Sequence, residues 1–475
     1  MTEILHITPH LGGGVGRVLL NYLSHVRRSN GEENHSIFCL DYANAAAVER
    51  AKQEGIPLRD NMSLRTGDLL NAVAGSDIVL IHWWNHPLLY ALLVNGPFPP
   101  SRMLIWSHVS GHFPTQNFTE KLLSYPDRFV VSTPYSLEAP AVRQLSPEER
   151  AERIRLVFTC AGIEHVASAE PRPHEGFRVG YIGTVDYCKL HPHFISMSAA
   201  ADIPQARFIV CGGPNETAIR KEAAEAGFGD RFQFTGQISD VAAMLSTFDV
   251  FGYPLAPYHY GTGEQAIIEA LAAGVPPVVL ANGAERHLVR DGVTGMVAHD
   301  AREYAQALET LFREPGLRLQ LGANARRMAR ATHTIESLAR SWSNVYREAL
   351  QMPKRARSWR GTDADPATAA ELFLASLGEY GADYAASMAV EPSAPALEAD
   401  GLIANGSELF RARTRGSVFH YQGFFRDDPW LNLWCGLLEL QEEGGGEARR
   451  HFTEAGTKIG NARVAAYLER LHGIA

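Results

Sequence analysis

A single carboxylate lies within an apolar run in the second half of the chain. Residues 263–276 read GEQAIIEALAAGVP, a pattern that predicts a short helix capped by Gly274 and stopped by Pro276. Within that helix Glu269 is surrounded by Ala, Ile and Leu. A buried carboxylate must find hydrogen-bond partners, and the vicinal hydroxyls of a ribose are good ones. We therefore interpret Glu269 as a candidate nucleotide-binding residue.

A second carboxylate, Glu264, precedes Glu269 by five positions, which is about 140° around a helix. Glu264 therefore belongs to the loop or the first turn rather than to the face that carries Glu269. It is either part of a site or simply a favourable charge at the positive end of the helix dipole. The loop before it, which contains Thr262 and Gly263, offers backbone N–H groups to an anion.

Another glycine cluster lies near the start of the chain, where residues 10–17 read HLGGGVGR. The cluster follows a predicted strand and opens a predicted helix, so Gly13 and Gly14 are candidate phosphate-binding residues. It is not a Walker sequence, because no Gly-Lys-Ser/Thr follows, and it lacks a convincing acidic partner for the dinucleotide fingerprint. A tight strand-to-helix turn is the alternative interpretation.

Histidines stand at or just beyond the ends of predicted strands in the first third of the chain. His82 and His108 close two strands, and His112 follows shortly after. Strand ends of this kind face one cleft, which favours a histidine in the site without choosing among the three. The adjacent Trp83 and Trp84 are interpreted either as a sugar-stacking wall or as core residues, and core packing is favoured for at least one of them.

The composition bounds the class of protein. The chain has 475 residues, enough for roughly three domains, and 45% hydrophobic against 20% charged residues excludes wholesale disorder. A formal net charge of −9 argues against a nucleic-acid partner, which would require a basic surface. Five cysteines without CxxC spacing favour a reducing compartment over a zinc site or disulfides. Without a signal-peptide pattern or a long apolar run, we expect a cytoplasmic protein.

Short apolar strands alternate with helices along most of the chain. Runs such as residues 78–81 and 103–106 are continuously apolar, which indicates parallel strands covered on both faces. The pattern restarts after a proline-containing stretch at residues 169–173. The alternation predicts an α/β fold of two Rossmann-like domains, residues 1–170 and 171–352, that face each other across a cleft. Ligands of such sheets bind at the carboxyl ends of the strands.

The rest of the chain differs in character. A polar linker, residues 353–366, carries the basic run KRARSWR at 354–360. We interpret this run either as a peripheral contact with the inner membrane face or as a solvated linker. Asp363 and Asp365 in the linker form a DAD sequence, which we regard as a chance match, and no metal site is predicted. Residues 367–475 are predicted to form a small helical accessory domain.

One part of this helical region has repeat-like spacing. Small and aromatic residues follow Asn432 at the intervals of a tetratricopeptide repeat, namely Gly436, Ala448, Phe452 and Ala455. Asn432 stands where such a repeat begins with Trp, and any helical hairpin gives similar spacing. We expect a helical domain that is suited to a protein partner, and we disfavour a true repeat array.

The second half of the chain resembles a known family. The run EALAAGVP at 269–276 and the segment GAERHLVRDGVTG at 283–295 resemble the carboxy-terminal half of retaining GT-B glycosyltransferases of family 4, the glycosyl transferases group 1. The resemblance covers about residues 1–350 and is strongest at 175–300. It implies metal-independent, cofactor-free transfer of a sugar from a UDP-, GDP- or ADP-sugar, with retention. The acceptor would be a glycan, a lipid-linked molecule or a protein.

The resemblance assigns roles to individual residues. The family's two paired glutamates fall on Gly261 and Glu269. Only the ribose-binding member is therefore present, and Glu264 is the candidate replacement for the member that contacts the donor sugar. The family's phosphate-binding arginine and lysine fall on Thr184 and Lys189, so one of the two cations is kept.

Two further assignments come from the same resemblance. The segment 236–238, which contains Ile238, matches the part of the family that contacts the nucleotide base, and His108 matches a histidine beside the donor sugar. The predicted catalytic residues are therefore His108, Glu264 and Lys189. In the implied front-face mechanism the leaving phosphate takes the acceptor's proton, so no separate general base is required.

Other functions remain open at this point. A nucleotide-sugar 2-epimerase shares the two-domain fold but needs an acid/base set on the sugar. A sugar phosphorylase needs a phosphate pocket or a pyridoxal lysine. Because the first glutamate and the arginine are absent, a catalytically degenerate scaffold that binds through its helical tail is a further alternative.

Overall fold

Continuous apolar runs form a parallel sheet in the first third of the chain. The computed structural model describes residues 1–29, 32–361, 364–389, 393–440, 445–459 and 461–472. The strands of this part are β1 (Thr2–Thr8), β2 (Glu33–Cys39), β3 (Leu58–Arg59), β4 (Ile78–Trp83), β5 (Phe98–Ser101), β6 (Met103–Ser107), β7 (Arg128–Val131) and β8 (Ile154–Leu156). They pair in parallel in the order β3-β2-β1-β4-β6-β7-β8, without β5. All of β4 is buried, because both faces of the sheet are covered.

Helices cover the two faces of this first sheet. They are α1 (Gly13–Ser29), α2 (Ala45–Gln53), α3 (Thr66–Gly75), α4 (Pro87–Asn95), α5 (Glu120–Ser124), α6 (Pro140–Arg143) and α7 (Pro147–Arg153). The first of them begins within the glycine cluster, at Gly13. The glycines therefore form its first turn, and the residues after them supply the apolar face.

A second parallel sheet follows. Its strands are β9 (Phe177–Ile182), β10 (Ala206–Cys211), β11 (Phe232–Gly236), β12 (Val250–Tyr253), β13 (Pro277–Leu280) and β14 (Met296–Ala298), in the order β11-β10-β9-β12-β13-β14. Its helices are α8 (Phe194–Ala199), α9 (Glu216–Glu225), α10 (Val241–Leu245), α11 (Gln265–Ala273), α12 (Ala301–Arg313) and α13 (Pro315–Thr332). As predicted, Gly274 ends α11 in the left-handed conformation, with a φ of 75°. The predicted α/β fold of two Rossmann-like domains is confirmed.

The helix α14 (Ile335–Leu350) packs on the first domain. Its Trp342 is fully buried, and the Trp342 ring lies 4.9 Å from the ring of Trp106 on β6. The predicted boundary at residue 352 is therefore wrong in one respect, because the chain leaves the second domain after Thr332. The amphipathic pattern of α14 shows which face is buried but not which core covers it.

The basic linker is a packed strap rather than a free segment. Its strand β15 (Arg355–Arg357) pairs with β5, and both Arg355 and Arg357 form ion pairs with Asp127. Trp359 is buried against the rings of Tyr90 and Tyr125. The predicted membrane contact therefore lacks an exposed tryptophan at this run, because the ring is part of the core. Asp363 lies outside the described residues.

The C-terminal part of the described chain is helical, as predicted. Its helices are α15 (Ala369–Leu377), α16 (Ala382–Ser387), α17 (Ala394–Ala404), α18 (Glu408–Arg411), α19 (Val418–Phe424), α20 (Pro429–Leu438), α21 (Gly446–Gly456) and α22 (Asn461–His472). This region shares one apolar core with the first domain. A buried Asn85 fixes the junction, because its amide donates to Ser376 Oγ over 3.0 Å and its oxygen accepts from the Tyr421 hydroxyl over 2.8 Å.

The repeat-like spacing has a packing explanation. A Cβ at Gly436 on α20 would lie 2.8 Å from the ring of Phe452 on α21, so the two helices require a glycine at their closest approach. One helical hairpin accounts for these positions, and a tetratricopeptide repeat stays a prediction. Among the described residues, none of the helices combines the length and apolar character needed to cross a bilayer.

Candidate active site

A lysine–glutamate pair lies at the carboxyl edge of the second sheet. Lys189 Nζ is 2.9 Å from Glu264 Oε2, and the hydroxyl of Tyr253 donates to the same oxygen over 2.9 Å. Tyr253 ends β12, Lys189 lies beyond the end of β9, and Glu264 is the residue before α11. Parallel topology brings these chain segments to one edge. The structure thus joins two of the three predicted catalytic residues.

The pair is ionic and largely buried. Burial disfavours the charge on both groups, but the opposite charge of each partner outweighs that effect. The pKa of Lys189 consequently lies above its usual value, and the pKa of Glu264 lies below its usual value. An ammonium carries three protons, so Lys189 retains donors for an incoming phosphate while it is bonded to Glu264.

Gly261, where the resembled family has a glutamate, is packed against the Glu264 carboxylate. A Cβ at residue 261 would collide with Glu264 Oε1. The loop is held by the Gly261 amide, which donates to His259 Nδ1 over 3.0 Å. The two departures from the family pattern are therefore complementary, because the missing side chain at 261 makes room for the carboxylate from 264.

A cavity of about 350 Å³ opens beside this pair. Its lining comes from the strand ends and the first turn of α11, and consists of Gly183, Thr184, Lys189, Gly212, Gly213, Gln237, Tyr253, Glu264, Gln265 and Ala266. A Cβ at Gly212 would collide with the carbonyl oxygen of Gly183, and Gly212 has a φ of 134°. The close approach of these two loops therefore requires glycine.

Several lining residues were missed by the sequence reasoning. Gly212 and Gly213 directly follow β10, so the rule that ligands bind at strand ends could have found them. Within the predicted base-contact segment 236–238, Gln237 lines the cavity, whereas Ile238 is partly buried against the second domain's core. No sequence pattern pointed to Tyr253, because its role is to donate a hydrogen bond to Glu264 and depends on where Glu264 lies.

Glu269 forms a bridge between the two domains. Its Oε1 lies 2.6 Å from Arg17 Nη2 and 2.9 Å from His165 Nε2. Glu269 is buried, whereas Arg17 and His165 are each more than one-third exposed at the side chain. The buried carboxylate of Glu269 therefore has hydrogen-bond partners, as predicted, and in this structure both partners are side chains.

The first glycine cluster lies at the start of the helix that carries Arg17. Gly13 and Gly14 are exposed, and among the described residues no atom lies within 4 Å of a Cβ placed at either. They are open to a ligand at the N-terminus of α1. Thr262 and Gly263 are placed differently, since Thr262 is buried and a Cβ at Gly263 would lie 2.6 Å from the Thr159 carbonyl oxygen.

His108 lies just beyond β6 at the carboxyl edge of the first sheet, where it is partly exposed. Two residues further on, the Ser110 amide donates to the Tyr260 carbonyl oxygen of the second domain over 3.1 Å. Burial lowers the pKa of His108 to about 3, so its imidazole is neutral near pH 7. Its Nε2 lies 2.9 Å from His82 Nδ1.

The other candidates from the first domain have structural roles here. His112 stacks on the ring of Tyr135 at 3.6 Å and is hydrogen-bonded to the Tyr135 carbonyl oxygen. Trp83 and Trp84 are both buried, with 0% and 3% of their surface exposed. The predicted sugar-stacking wall is therefore wrong, and core packing explains both tryptophans.

The second domain matches the model of a known protein family. The model of the family Glycosyl transferases group 1 matches residues 164–328. A D-inositol 3-phosphate glycosyltransferase of Mycobacterium leprae is 26% identical over 257 residues, which is 50% of this chain and 56% of the relative. The corresponding enzyme of Mycobacterium bovis is 30% identical over 188 residues, or 38% of this chain and 37% of the relative. The chain spans about half the length of the first relatives it matches.

Solved structures match the two-domain part as a whole. HepE from Anabaena in complex with UDP aligns with a TM-score of 0.59 at 15% identity, and covers 73% of this chain and 100% of its own. A glycosyltransferase from Rickettsia africae gives a TM-score of 0.59 at 14% identity, with 74% and 99% covered. The protein therefore has the GT-B fold, with a C-terminal helical region added to it.

Proposed function

We propose that the protein is a glycosyltransferase that moves a sugar from a nucleotide-diphosphate sugar to an acceptor. The observation that carries the proposal is the Lys189–Glu264 pair beside a glycine-lined cavity at the carboxyl edge of the second sheet. Support comes from the family model, which covers the same domain, and from the GT-B fold of the structural neighbours.

The chemistry follows from where charge develops. When the bond between the sugar and the diphosphate breaks, negative charge grows on the phosphates, and fixed positive groups lower the energy of that state. Lys189 supplies a cation, and the N-terminus of α11 adds partial positive charge from its free N–H groups. We propose that Glu264 contacts the donor sugar and that His108 orients it from the first domain. Metal-independent transfer with retention is part of the proposal.

Nucleotide binding requires a change at Glu269. We propose that the ribose hydroxyls replace Arg17 and His165 as its partners. This exchange couples donor binding to the contact between the domains.

The donor to test first is UDP-glucose, because HepE from Anabaena was solved with UDP and with UDP-glucose. GDP- and ADP-sugars are the alternatives. Inositol phosphate is one acceptor to test, because the curated relatives are named D-inositol 3-phosphate glycosyltransferases. Glycan, lipid-linked and protein acceptors complete the panel.

A second cavity, of about 600 Å³, lies beside the donor loops and is the proposed acceptor site. Both domains and the helical region contribute to its largely apolar lining, which includes Phe113, Tyr187, Pro257, Tyr258, Tyr260 and Leu409. Tyr187 and Cys188 in this lining directly precede Lys189. Apolar lining favours an acceptor that carries an apolar or aromatic group next to the accepting hydroxyl.

The test is a transfer and hydrolysis assay across UDP-, GDP- and ADP-sugars with wild-type protein and Lys189→Met. The matched control is Lys221→Met, because Lys221 lies on the exposed surface of the same domain in an ion pair with Glu225. We expect turnover with one donor class, lost in K189M and kept in K221M. Donor binding without turnover would identify a scaffold, and inversion at C2 would identify an epimerase; either result rejects the proposal.

A further inference from the structure

Four histidines form a continuous row through the first domain. His108 Nε2 lies 2.9 Å from His82 Nδ1, and His82 Nε2 lies 3.0 Å from His6 Nδ1. His6 Nε2 lies 2.9 Å from His35 Nδ1, and His35 Nε2 lies 3.2 Å from Glu33 Oε2. Each ring is therefore bonded through Nε2 to the next group, and His82, His6 and His35 are also bonded through Nδ1 to the previous ring. We call these five residues the imidazole chain.

Strand register produces the imidazole chain. Across β2, β1, β4 and β6, His35 pairs with Ile4, His6 with Leu80, and His82 with Trp106. Each of these partners lies two residues before the next histidine in the sequence, and His108 comes directly after the end of β6. Side chains two residues apart share a face of the sheet, so the four rings lie on one face. The imidazole chain runs diagonally across the sheet, from His108 at the carboxyl edge to the start of β2.

The two ends of the imidazole chain open on different sides of the domain. His108 is partly exposed at the edge that faces the second domain. Glu33 and His35 line a separate cavity of about 450 Å³ together with Glu3 and Arg27. The middle is dry, since His6 and His82 are both 0% exposed. Water cannot connect the two ends along this route, whereas the imidazoles can.

We propose that the imidazole chain is a proton relay between the active-site cleft and Glu33. A neutral imidazole holds one proton and one lone pair on opposite ring nitrogens, so a head-to-tail row satisfies every ring when each carries its proton on Nε2. His108 Nδ1 is then an acceptor at the cleft end. The role in catalysis rests on the proposed glycosyl transfer, which moves the acceptor's hydroxyl proton.

The relay balances protons without other bond changes. One proton binds His108 Nδ1, and the Nε2 proton of each imidazole moves to Nδ1 of the next. The Nε2 proton of His35 then moves to Glu33 Oε2, which exchanges with solvent in its cavity. Every ring ends with its proton on Nδ1. Transfer of one proton in the opposite direction, from Glu33 to His108, returns the proton of each ring to Nε2. In place of the direct transfer to the leaving phosphate that the family resemblance implies, the relay takes up the acceptor's proton at His108 and returns one to the departing nucleoside diphosphate.

The surroundings of the two buried rings, His6 and His82, favour their neutral form. Burial and the neighbouring histidines hold the pKa of His6 and of His82 well below the usual value. The titratable groups that face His35 from the covering helices are Tyr22 of α1 and Tyr346 of α14, at ring distances of 5.9 and 6.2 Å. Burial raises the pKa of both phenols, so they also stay neutral.

The test uses Glu33, which lines the cavity at the far end of the imidazole chain and keeps 13% of its side chain exposed. We expect Glu33→Gln to lower kcat for transfer about tenfold or more, with the KM for the donor unchanged. Glu3→Gln is the matched control, because Glu3 lines the same cavity but does not belong to the imidazole chain. This variant should keep the wild-type kcat. Acetate should restore activity to Glu33→Ala, because the cavity admits a small carboxylate. Unchanged kcat in E33Q, or loss without rescue by acetate, overturns the relay.

A second readout does not depend on activity. Nitrogen NMR of the histidine rings in the wild-type protein should show protons on Nε2 of His6, His82 and His35. Opposite tautomers in two adjacent rings would break the row and overturn the relay. Absence of transfer in the wild-type protein would instead reject the proposed function, while the tautomer measurement would still decide whether the row is continuous.

Discussion

The guanidinium of Arg17 lies 2.6 Å from the carboxylate of Glu269, although the two residues belong to different domains. Arg17 belongs to the first domain's α1, and Glu269 lies in the middle of α11. The predicted ribose-binding carboxylate is therefore paired with a side chain of the first domain. Donor binding has to compete with the Arg17–Glu269 contact, so the strength of that contact can be measured from the affinity for the donor nucleotide.

Arg17→Ala tests that competition. The pair is partly exposed, so it is worth up to about 1 kcal/mol, and its removal should tighten UDP binding by as much as about fivefold. Calorimetric titration with UDP measures this change. Arg28→Ala is the control, because Arg28 lies on the same helix and pairs with Glu54 at the surface. Weaker UDP binding in R17A would show that the guanidinium contacts the nucleotide itself.

Lys189 is expected to act on the reaction more than on the fold. Lys189→Met should lower kcat roughly 100-fold or more, because it removes the cation that faces the developing phosphate charge. The single variant also leaves Glu264 buried without its partner, which costs stability. Lys189→Met combined with Glu264→Gln removes both charges and should recover the melting temperature but not the activity. Recovery of both would contradict a catalytic role for the pair.

Gly261 is expected to tolerate no side chain. In Gly261→Ala the new methyl group would collide with Glu264 Oε1, so we expect a loss of about 1–3 kcal/mol in the free energy of unfolding and weaker donor binding. Urea unfolding measures the first quantity. Gly316→Ala is the control, because among the described residues no atom lies within 4 Å of a Cβ at Gly316. Equal stability of G261A and wild type would show that the loop is free to move.

The buried imidazoles make stability depend on pH. His6 and His82 have pKa values well below 6.5 in the folded protein. Below pH 6.5 the unfolded chain therefore binds more protons than the folded protein, and stability falls as the pH falls. Each such histidine contributes up to about 1.4 kcal/mol per pH unit. Urea unfolding between pH 7 and about pH 5 should show a smaller slope in His6→Gln than in wild type. Equal slopes would mean that His6 is already charged in the folded state.

The strands were predictable because burial on both faces leaves a local signal. The continuous run in β4 and the restart at β9 are readable from short windows of sequence. The fold class followed from their alternation with helices. The location of α14 was not predictable, because an amphipathic helix shows how much of it is buried but not against which domain.

The site was predictable residue by residue but not as a geometry. The resemblance pointed to Lys189 and Glu264 separately, whereas their contact depends on the end of β9 lying beside the start of α11. The interdomain partners of Glu269 required the packing of α1 across the cleft. Similarly, His6 and His35 carried no signal, because only strand register places them in line with His82 and His108.

The acceptor cavity gives a further expectation. Because its lining is largely apolar, an aryl or alkyl glycoside should be a better acceptor than the same free sugar. Leu409→Glu should raise the KM for such an acceptor while leaving the KM for the donor unchanged. Leu402→Glu is the control, since Leu402 is exposed and lies outside the residues that line this cavity. Equal KM values for the glycoside and the free sugar would place the acceptor elsewhere.

The central claim is that Lys189 and the cavity beside it hold a nucleoside diphosphate. Calorimetric titration of the wild-type protein, K189M and K221M with UDP, GDP and ADP tests it most directly. We predict that one of the three nucleotides binds the wild-type protein and K221M equally, and that its affinity falls at least about tenfold in K189M. Equal affinity in K189M and wild type, or no binding of any of the three to the wild-type protein, would contradict the claim.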